Sequence, residues 1–325
     1  MAKFNVIMTA PRLAAQAVAV LEQAGCAVHY TAPYPSGAVL GELAARVQAD
    51  AILSRQGQVN ATAIAGSPRL HIVARHGVGV DEVDLAAAAA HGVIVTNAPG
   101  SNTRAVAEHT LAALLALAKR IKPFGLGVAA GEWRGASASG RDIAGLRLGL
   151  LGFGAIGQAV AALARPFGIV VAAYTRGPIV GEAGVRRADS LVALAAESDV
   201  LSVHCPLTLE TRGCVGAAVL AAMPAGGFVI NTARGGIVDE AALLAALESG
   251  HIAGAALDVF ATEPPPPGHP LLQHPRVLAT PHVSGVTPDS LTAMGVMAAE
   301  CIAAALTGAA IPPDRIVVPT RPSDS

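Results

Sequence analysis

The chain has 325 residues, a formal net charge of −1, 53% hydrophobic residues and 14% charged ones. At roughly 100–200 residues per domain this length implies about two domains. The near-neutral balance excludes nucleic acid as the main partner, because that needs Lys and Arg to neutralise phosphates, and the hydrophobic content excludes disorder. The uncharged run Gly213–Ala233 is long enough to suggest a membrane span, but glycines, Pro224 and Asn231 break it into two short elements.

The opening MAKFNVIMTA reads as a first strand, not a signal peptide. Short apolar runs follow at Phe4–Thr9, Ala27–Tyr30, Ala51–Ser54, His71–Ala74 and Val93–Thr96. Apolar on both faces and bounded by turn residues, they read as buried parallel strands. Helices are predicted between them at Pro11–Ala24, Ser36–Gln48, Ala61–Ala65 and Asp84–His91. A longer helix, Thr103–Lys119, is apolar around most of its circumference and so buried. The Gly-rich segment Pro123–Gly145, with the single tryptophan Trp133, reads as an irregular connection.

A second β-α series opens at Leu146, with strands predicted at Arg147–Leu151, Ile169–Tyr174, Val200–His204, Gly227–Asn231, Gly254–Leu257 and Val277–Ala279. Pro288–Leu306 reads as a helix and Ile311–Ser325 as a Pro-rich tail. Such alternation implies α/β architecture with parallel sheets covered by helices. The four cysteines, Cys26, Cys205, Cys214 and Cys301, form no C-x-x-C pair, so neither a disulfide scaffold nor a metal site is expected, and reduced thiols point to the cytoplasm.

Gly152-Phe153-Gly154-Ala155-Ile156-Gly157 lies between a predicted strand and the helical stretch Gln158–Ala164. In that context the glycines serve a tight turn, close approach to a pyrophosphate and close helix–strand packing. Gly152, Gly154 and Gly157 are therefore candidate dinucleotide-binding residues, against the plainer reading of a structural turn. An NAD site carries Asp or Glu at the end of the next strand. Here the residues are Tyr174-Thr175-Arg176-Gly177. Thr175 and Arg176 suit a 2′-phosphate, so NADP(H) is favoured and NAD(H) is the alternative, unless Arg176 is only a solvated loop residue.

Three further strand ends carry polar residues: Arg234 in NTARGG, Glu263 in LDVFATEP and His282 in TPHVSG. Ligands of open parallel sheets bind at such ends. Together with RHGVGVDEVDLAAA, GVIVTNAPGSNTRAVAEHT, LGLLGFGAIGQAVA, VHCPLTLETRG, INTARGGIVDEAAL and ALDVFATEPPP, these motifs resemble the D-isomer-specific 2-hydroxyacid dehydrogenase family over about residues 51–313. The resemblance implies two doubly wound parallel-sheet domains. A Rossmann cofactor domain, residues 100–286, would be inserted into a flavodoxin-like substrate domain made of residues 1–99 and 287–325. It also implies roles. Arg234 would bind the substrate carboxylate and polarise the 2-oxo group, His282 would be the general acid–base, and Glu263 would orient the imidazole. Ala155, Ile156, Cys205 and Thr232 would line the cofactor groove, and Asp258 with the Ala233 backbone would orient the carboxamide.

Ser54, Val78 and Gly79 are expected at the substrate carboxylate. Arg75, and Arg55 beside it, would supply charge for a phosphorylated or second acidic group, or else be surface or hinge residues. The expected substrate is a small 2-oxo or 2-hydroxy acid of glyoxylate/hydroxypyruvate type, with a 3-phosphoglycerate-type acid as the alternative. A nucleotide-sensing corepressor-like scaffold, and formate- or phosphite-type oxidation, are further readings on the same fold. The helix Thr103–Lys119 and the segment through Trp133 match the family's dimerisation arm, which implies a homodimer.

Overall fold

A computed structural model describes residues 3–133, 139–177, 179 and 184–318. The chain divides into two compact units, Met1–Asn102 with Val286–Ser325, and Thr103–Gly285.

The first unit alternates β1 (Phe4–Met8), α1 (Ala15–Gln23), β2 (Cys26–Tyr30), α2 (Gly37–Val47), β3 (Ala51–Ser54), α3 (Ala61–Ala65), β4 (Ile72–Arg75), α4 (Leu85–His91) and β5 (Ile94–Thr96). Helix starts follow side-chain chemistry: Ser36, Asn60 and Asp84 each accept a hydrogen bond from the backbone N–H three residues on. Gly92 ends α4 in the left-handed conformation.

The second unit holds α5 (Thr103–Ala118), α6 (Ile121–Ala129), β6 (Arg147–Leu151), α7 (Ala155–Ala164), β7 (Val170–Tyr174), β8 (Arg186–Arg187), α8 (Leu191–Ala196) and β9 (Val200–Val203). It continues with α9 (Ala217–Ala222), β10 (Gly227–Asn231), α10 (Glu240–Glu248), β11 (Ile252–Leu257), α11 (Pro270–Gln273) and β12 (Val277–Ala279). The chain then returns to the first unit with α12 (Pro288–Thr307) and β13 (Ile316–Val318).

The first sheet runs β2-β1-β3-β4-β5-β13, parallel except for the antiparallel edge strand β13. The second runs β8-β7-β6-β9-β10-β11-β12, parallel throughout. Each order reverses once, between β1 and β3 and between β6 and β9, and a doubly wound sheet offers its ligand crevice at that point. Alanine and glycine bring the layers close: a Cβ on Gly295 of α12 would lie 3.2 Å from the Ala17 Cβ of α1. By length and composition α12 is apolar enough to cross a membrane, yet Met294, Ala298, Ala299, Cys301 and Ile302 are buried, the last four of them in the core that also holds Val6, Met8 and Leu21.

Three expectations needed correction. The segment read as irregular from Pro123 begins with helix α6; Pro123 is its third residue, where the missing N–H has no intrahelical partner. Residues 134–138 of that segment lie outside the described residues, as does the tail beyond Val318. The tail read as Pro-rich coil carries β13, which pairs with β5. The two-residue strand β8 was also missed, because Arg186 and Arg187 lack the apolar pattern of a strand.

Candidate active site

The glycine loop joins β6 to α7 at the switch point of the second sheet. Gly152 has φ +99°, and a Cβ there would stand 2.7 Å from the Cys205 amide nitrogen and the His204 carbonyl. A Cβ on Gly157 would stand 2.5 Å from the Gly152 carbonyl oxygen. Both positions therefore exclude any side chain. Gly154 differs: it precedes α7, its Cβ would meet nothing within 4 Å, and no side chain caps the helix. The N–H groups of Ala155 and Ile156 thus open the helix where a pyrophosphate is stabilised by backbone donors and the helix dipole. The cradle fits a dinucleotide.

At the end of β7, Thr175 is half-buried and Arg176 is exposed, 3.4 Å from Glu210. A residue that did not stand out in the sequence joins them: Arg187 of β8 donates to the Thr175 carbonyl at 3.2 Å. Cys205 is half-buried, and burial pushes its thiol up to about 12, which disfavours the thiolate form. Behind it, His204 is held neutral by burial, near 4, with Nε2 2.8 Å from Ser202 Oγ.

After β10, Thr232 is buried and its hydroxyl meets Thr110 of α5 at 3.1 Å. Asn231, also unremarked in the sequence, shapes the next turn. Its Oδ1 accepts from the Ala233 N–H at 3.1 Å, and its Nδ2 donates to the Arg234 carbonyl at 2.9 Å. The Ala233 carbonyl accepts from Arg234 Nη1 at 2.8 Å.

His282 follows β12 in the left-handed conformation, φ +54°. Its Nδ1 lies 2.6 Å from Glu263 Oε2, and Glu263 Oε1 accepts from the Phe260 N–H at 3.0 Å. The hydrogen bond to Glu263 raises the imidazole pKa, against burial and the Arg234 charge, with Asp258 adding to the rise. Burial would raise Glu263, but its bonds to His282 and Phe260 and the charges of His282 and Arg234 outweigh this, leaving the carboxyl below its usual range. Arg234, Glu263 and His282 thus share one electrostatic environment.

Asp258 organises the loop that follows β12. Buried at the end of β11, its carboxylate accepts from Thr280 Oγ1 at 2.5 Å, the Val283 N–H at 2.9 Å and the Ser284 N–H at 2.8 Å. Its own carbonyl accepts from the His282 N–H at 2.8 Å. Three of about four acceptor sites on a carboxylate are filled this way. Asp258 therefore builds the loop that presents His282.

In the first unit, Thr9 Oγ1 accepts from the Arg55 and Gln56 amides at 2.8 and 3.1 Å, at the β1/β3 switch point. Ser54 is buried and its hydroxyl has no hydrogen-bond partner among the described residues. Arg75 is buried and turned inward: Nε donates to Gly79 O, Nη1 to Ser54 O and Arg55 O, and Nη2 pairs with Glu82 at 2.8 Å. In this way it assembles the loop, in keeping with the alternative reading of Arg75 as a structural residue. Val78 and Gly79 are half-buried, their carbonyls held by Asn97 Nδ2 and Arg75 Nε. Arg55 is half-buried, and burial pulls its pKa below the usual range.

A glycine cradle lies at the sheet reversal, and an imidazole–carboxylate pair lies at the same sheet's carboxyl ends, where open parallel sheets bind their ligands. The model of the D-isomer specific 2-hydroxyacid dehydrogenase, NAD binding domain, matches residues 111–284. The chain is 43% identical over 275 residues to the D-3-phosphoglycerate dehydrogenase of Mycobacterium leprae, covering 83% of this chain and 52% of that protein. It thus spans about half the length of the curated relatives it matches. Among solved structures, the TT0316 protein of Thermus thermophilus superposes with a TM-score of 0.88 at 38% identity, over 97% of this chain and 100% of that one. The NADPH-dependent glyoxylate/hydroxypyruvate reductase of Sinorhizobium meliloti, solved with NADP and malonate, gives 0.86 at 32% identity, over 99% and 100%. The chain belongs to the D-isomer-specific 2-hydroxyacid dehydrogenase family.

Proposed function

We propose that this chain is an NAD(P)-dependent 2-hydroxyacid dehydrogenase acting on the D-isomer, working as a reductase of small 2-oxo acids of glyoxylate/hydroxypyruvate type, with NADPH preferred. The observation that carries the reading is the 2.6 Å bond between His282 and Glu263, under the influence of the Arg234 charge. The guanidinium fork of Arg234 suits a carboxylate and can polarise the adjacent 2-oxo group. Because Glu263 accepts at Nδ1, Nε2 of a protonated His282 is the donor for the carbonyl oxygen during reduction, and the same nitrogen takes the proton back in oxidation. The bound nicotinamide supplies the hydride.

NADPH preference is supported by the absence of a carboxylate at positions 174–177 and by two guanidinium groups, Arg176 and Arg187, beside Thr175. One observation favours a second reading. Arg55 is half-buried and no carboxylate pairs with it among the described residues, which suits the phosphate of a 3-phosphoglycerate-type substrate. A homodimer is supported by the exposed apolar side chains Ile121, Leu126, Val128 and Trp133 on and after α6.

Initial rates with NADPH and NADH against glyoxylate, hydroxypyruvate, phosphohydroxypyruvate, pyruvate and phenylpyruvate test the proposal. Fastest turnover of glyoxylate or hydroxypyruvate with NADPH supports it. A preference for phosphohydroxypyruvate selects the second reading. No turnover of any 2-oxo acid, with NAD(H) still bound, selects the sensing scaffold, and oxidation of formate or phosphite alone rejects both acids.

A further inference from the structure

The turn that carries Glu263 is gripped from outside the catalytic trio. Glu240 is the first residue of α10, whose cap is already supplied by Asp239. The Glu240 carboxylate turns instead to the 260–263 turn: Oε1 accepts from the Ala261 N–H at 2.7 Å, and Oε2 lies 3.3 Å from His269 Nε2. The His269 ring packs edge-on against Phe260, with centroids 5.8 Å apart. The Glu240 and His269 side chains are only 21% and 15% exposed. The turn also abuts Gly235, next to Arg234, where a Cβ would fall 1.9 Å from the Phe260 carbonyl carbon.

We propose that Glu240 and His269 are positioning residues for proton transfer, fixing the 260–263 turn and through it the reach of Glu263 to His282. The bond to Ala261 is charge-assisted and the turn's own amide at Phe260 holds the other oxygen of Glu263, so a shift of the turn moves that carboxylate directly. The charged groups that face His282 are Glu263, Arg234 and Asp258. Glu240 acts on it through geometry alone. This inference rests on His282 being the acid of the proposed reaction.

The test compares Glu240→Ala, Glu240→Gln and His282→Ala in the full chain. The readouts are kcat and KM for 2-oxo acid reduction across pH, the NMR titration of His282 without cofactor, and thermal melts. Glu240→Ala is expected to lower kcat by about 10- to 100-fold with KM little changed, the usual effect of a displaced catalytic group. Both the alkaline limb of the rate profile and the His282 titration should move to lower pH. Glu240→Gln keeps an acceptor for Ala261 and should recover kcat to within about threefold of wild type. A Glu240→Ala enzyme with the wild-type profile and titration overturns the proposal, as does a Gln variant as impaired as the Ala variant. If Glu240→Ala fails to fold, His269→Ala is read in the same way, and an unshifted titration overturns it. The NMR readout needs no turnover, so it decides the positioning role by itself. An active His282→Ala enzyme would instead refute the reading of His282 as the acid.

Discussion

The imidazole of His282 is bonded at Nδ1 to Glu263, which is itself anchored by the Phe260 amide, so the pair has one orientation and one free nitrogen. A histidine whose folded pKa is raised stays protonated to higher pH than the free side chain, near 6.5. Reduction needs that proton. The alkaline limb of kcat/KM for reduction should therefore lie above the ordinary histidine value, and Glu263→Gln should move it down. A pH-rate profile identical in wild type and variant would remove Glu263 from the mechanism.

Removing the acid altogether has a larger effect. His282→Ala should lower kcat by about 10²–10⁴-fold, the range for loss of general acid catalysis, with the cofactor still binding. Stopped-flow or steady-state rates of NADPH oxidation measure this directly. Activity within a few-fold of wild type would reject the assignment.

Asp258 and Glu263 should separate stability from chemistry. Asp258→Ala strips the partners from the Thr280 hydroxyl and two amides in a buried loop. Each unpaired buried group costs about 1–3 kcal/mol, enough to lower Tm by several degrees (roughly 2–4 °C per kcal/mol in a unit of this size). Glu263→Ala breaks a pair with His282 that is partly solvated and should change Tm little while changing the pH profile. Equal melting curves for wild type and Asp258→Ala would show that the loop does not depend on this carboxylate.

The proposed NADPH preference rests on two guanidinium groups. Arg176→Ala and Arg187→Ala should each raise the Kd for NADPH by about tenfold or more, as expected for a lost charge-assisted bond to phosphate, and leave the Kd for NADH nearly unchanged. Calorimetric titration of both cofactors gives the comparison. Parallel losses for NADPH and NADH would place the arginines elsewhere in binding, and tighter NADH binding by wild type would refute the preference.

Asp199 gives a prediction about acid stability. Its pKa is lowered to about 2, first by the hydrogen bond from Arg147 and also by Arg141, against burial. A depressed carboxyl contributes stability above its unfolded pKa and loses it as pH falls through the folded value. Asp199→Asn should therefore be less stable than wild type at pH 7 by about 1–2 kcal/mol, allowing for solvent screening of the half-exposed arginines. The gap should narrow between about pH 4 and pH 2. Denaturant melts showing a constant gap across that range would contradict the linkage.

Strands such as Ala51–Ser54, Arg147–Leu151, Gly227–Asn231 and Val277–Ala279 were legible to the residue because they are apolar runs bounded by turn residues. β13 was not, since three residues at the edge of a sheet whose other strands lie more than 200 positions earlier have no local pattern, and α6 was masked by its glycines and proline. Arg234, Glu263 and His282 were legible as polar residues following strands. What holds them was not. Asp258 reaches residues 22 to 26 positions away, and Glu240 reaches 21 and 29. Arg75 shows the same limit: its charge is visible in the sequence, but the Ser54 and Arg55 carbonyls that absorb its donors become neighbours only when β3 and β4 pair.

The return of α12 and β13 to the first unit has a consequence for biosynthesis. The first unit cannot close until α12 has been made, because Ala298, Ala299, Cys301 and Ile302 of α12 share a core with Val6, Met8 and Leu21. The second unit is contiguous and complete by Gly285. A nascent chain emerging N-terminus first therefore holds an open, apolar sheet face while its middle folds. A fragment of residues 1–102 should aggregate, whereas residues 103–285 contain every residue of their own two cores.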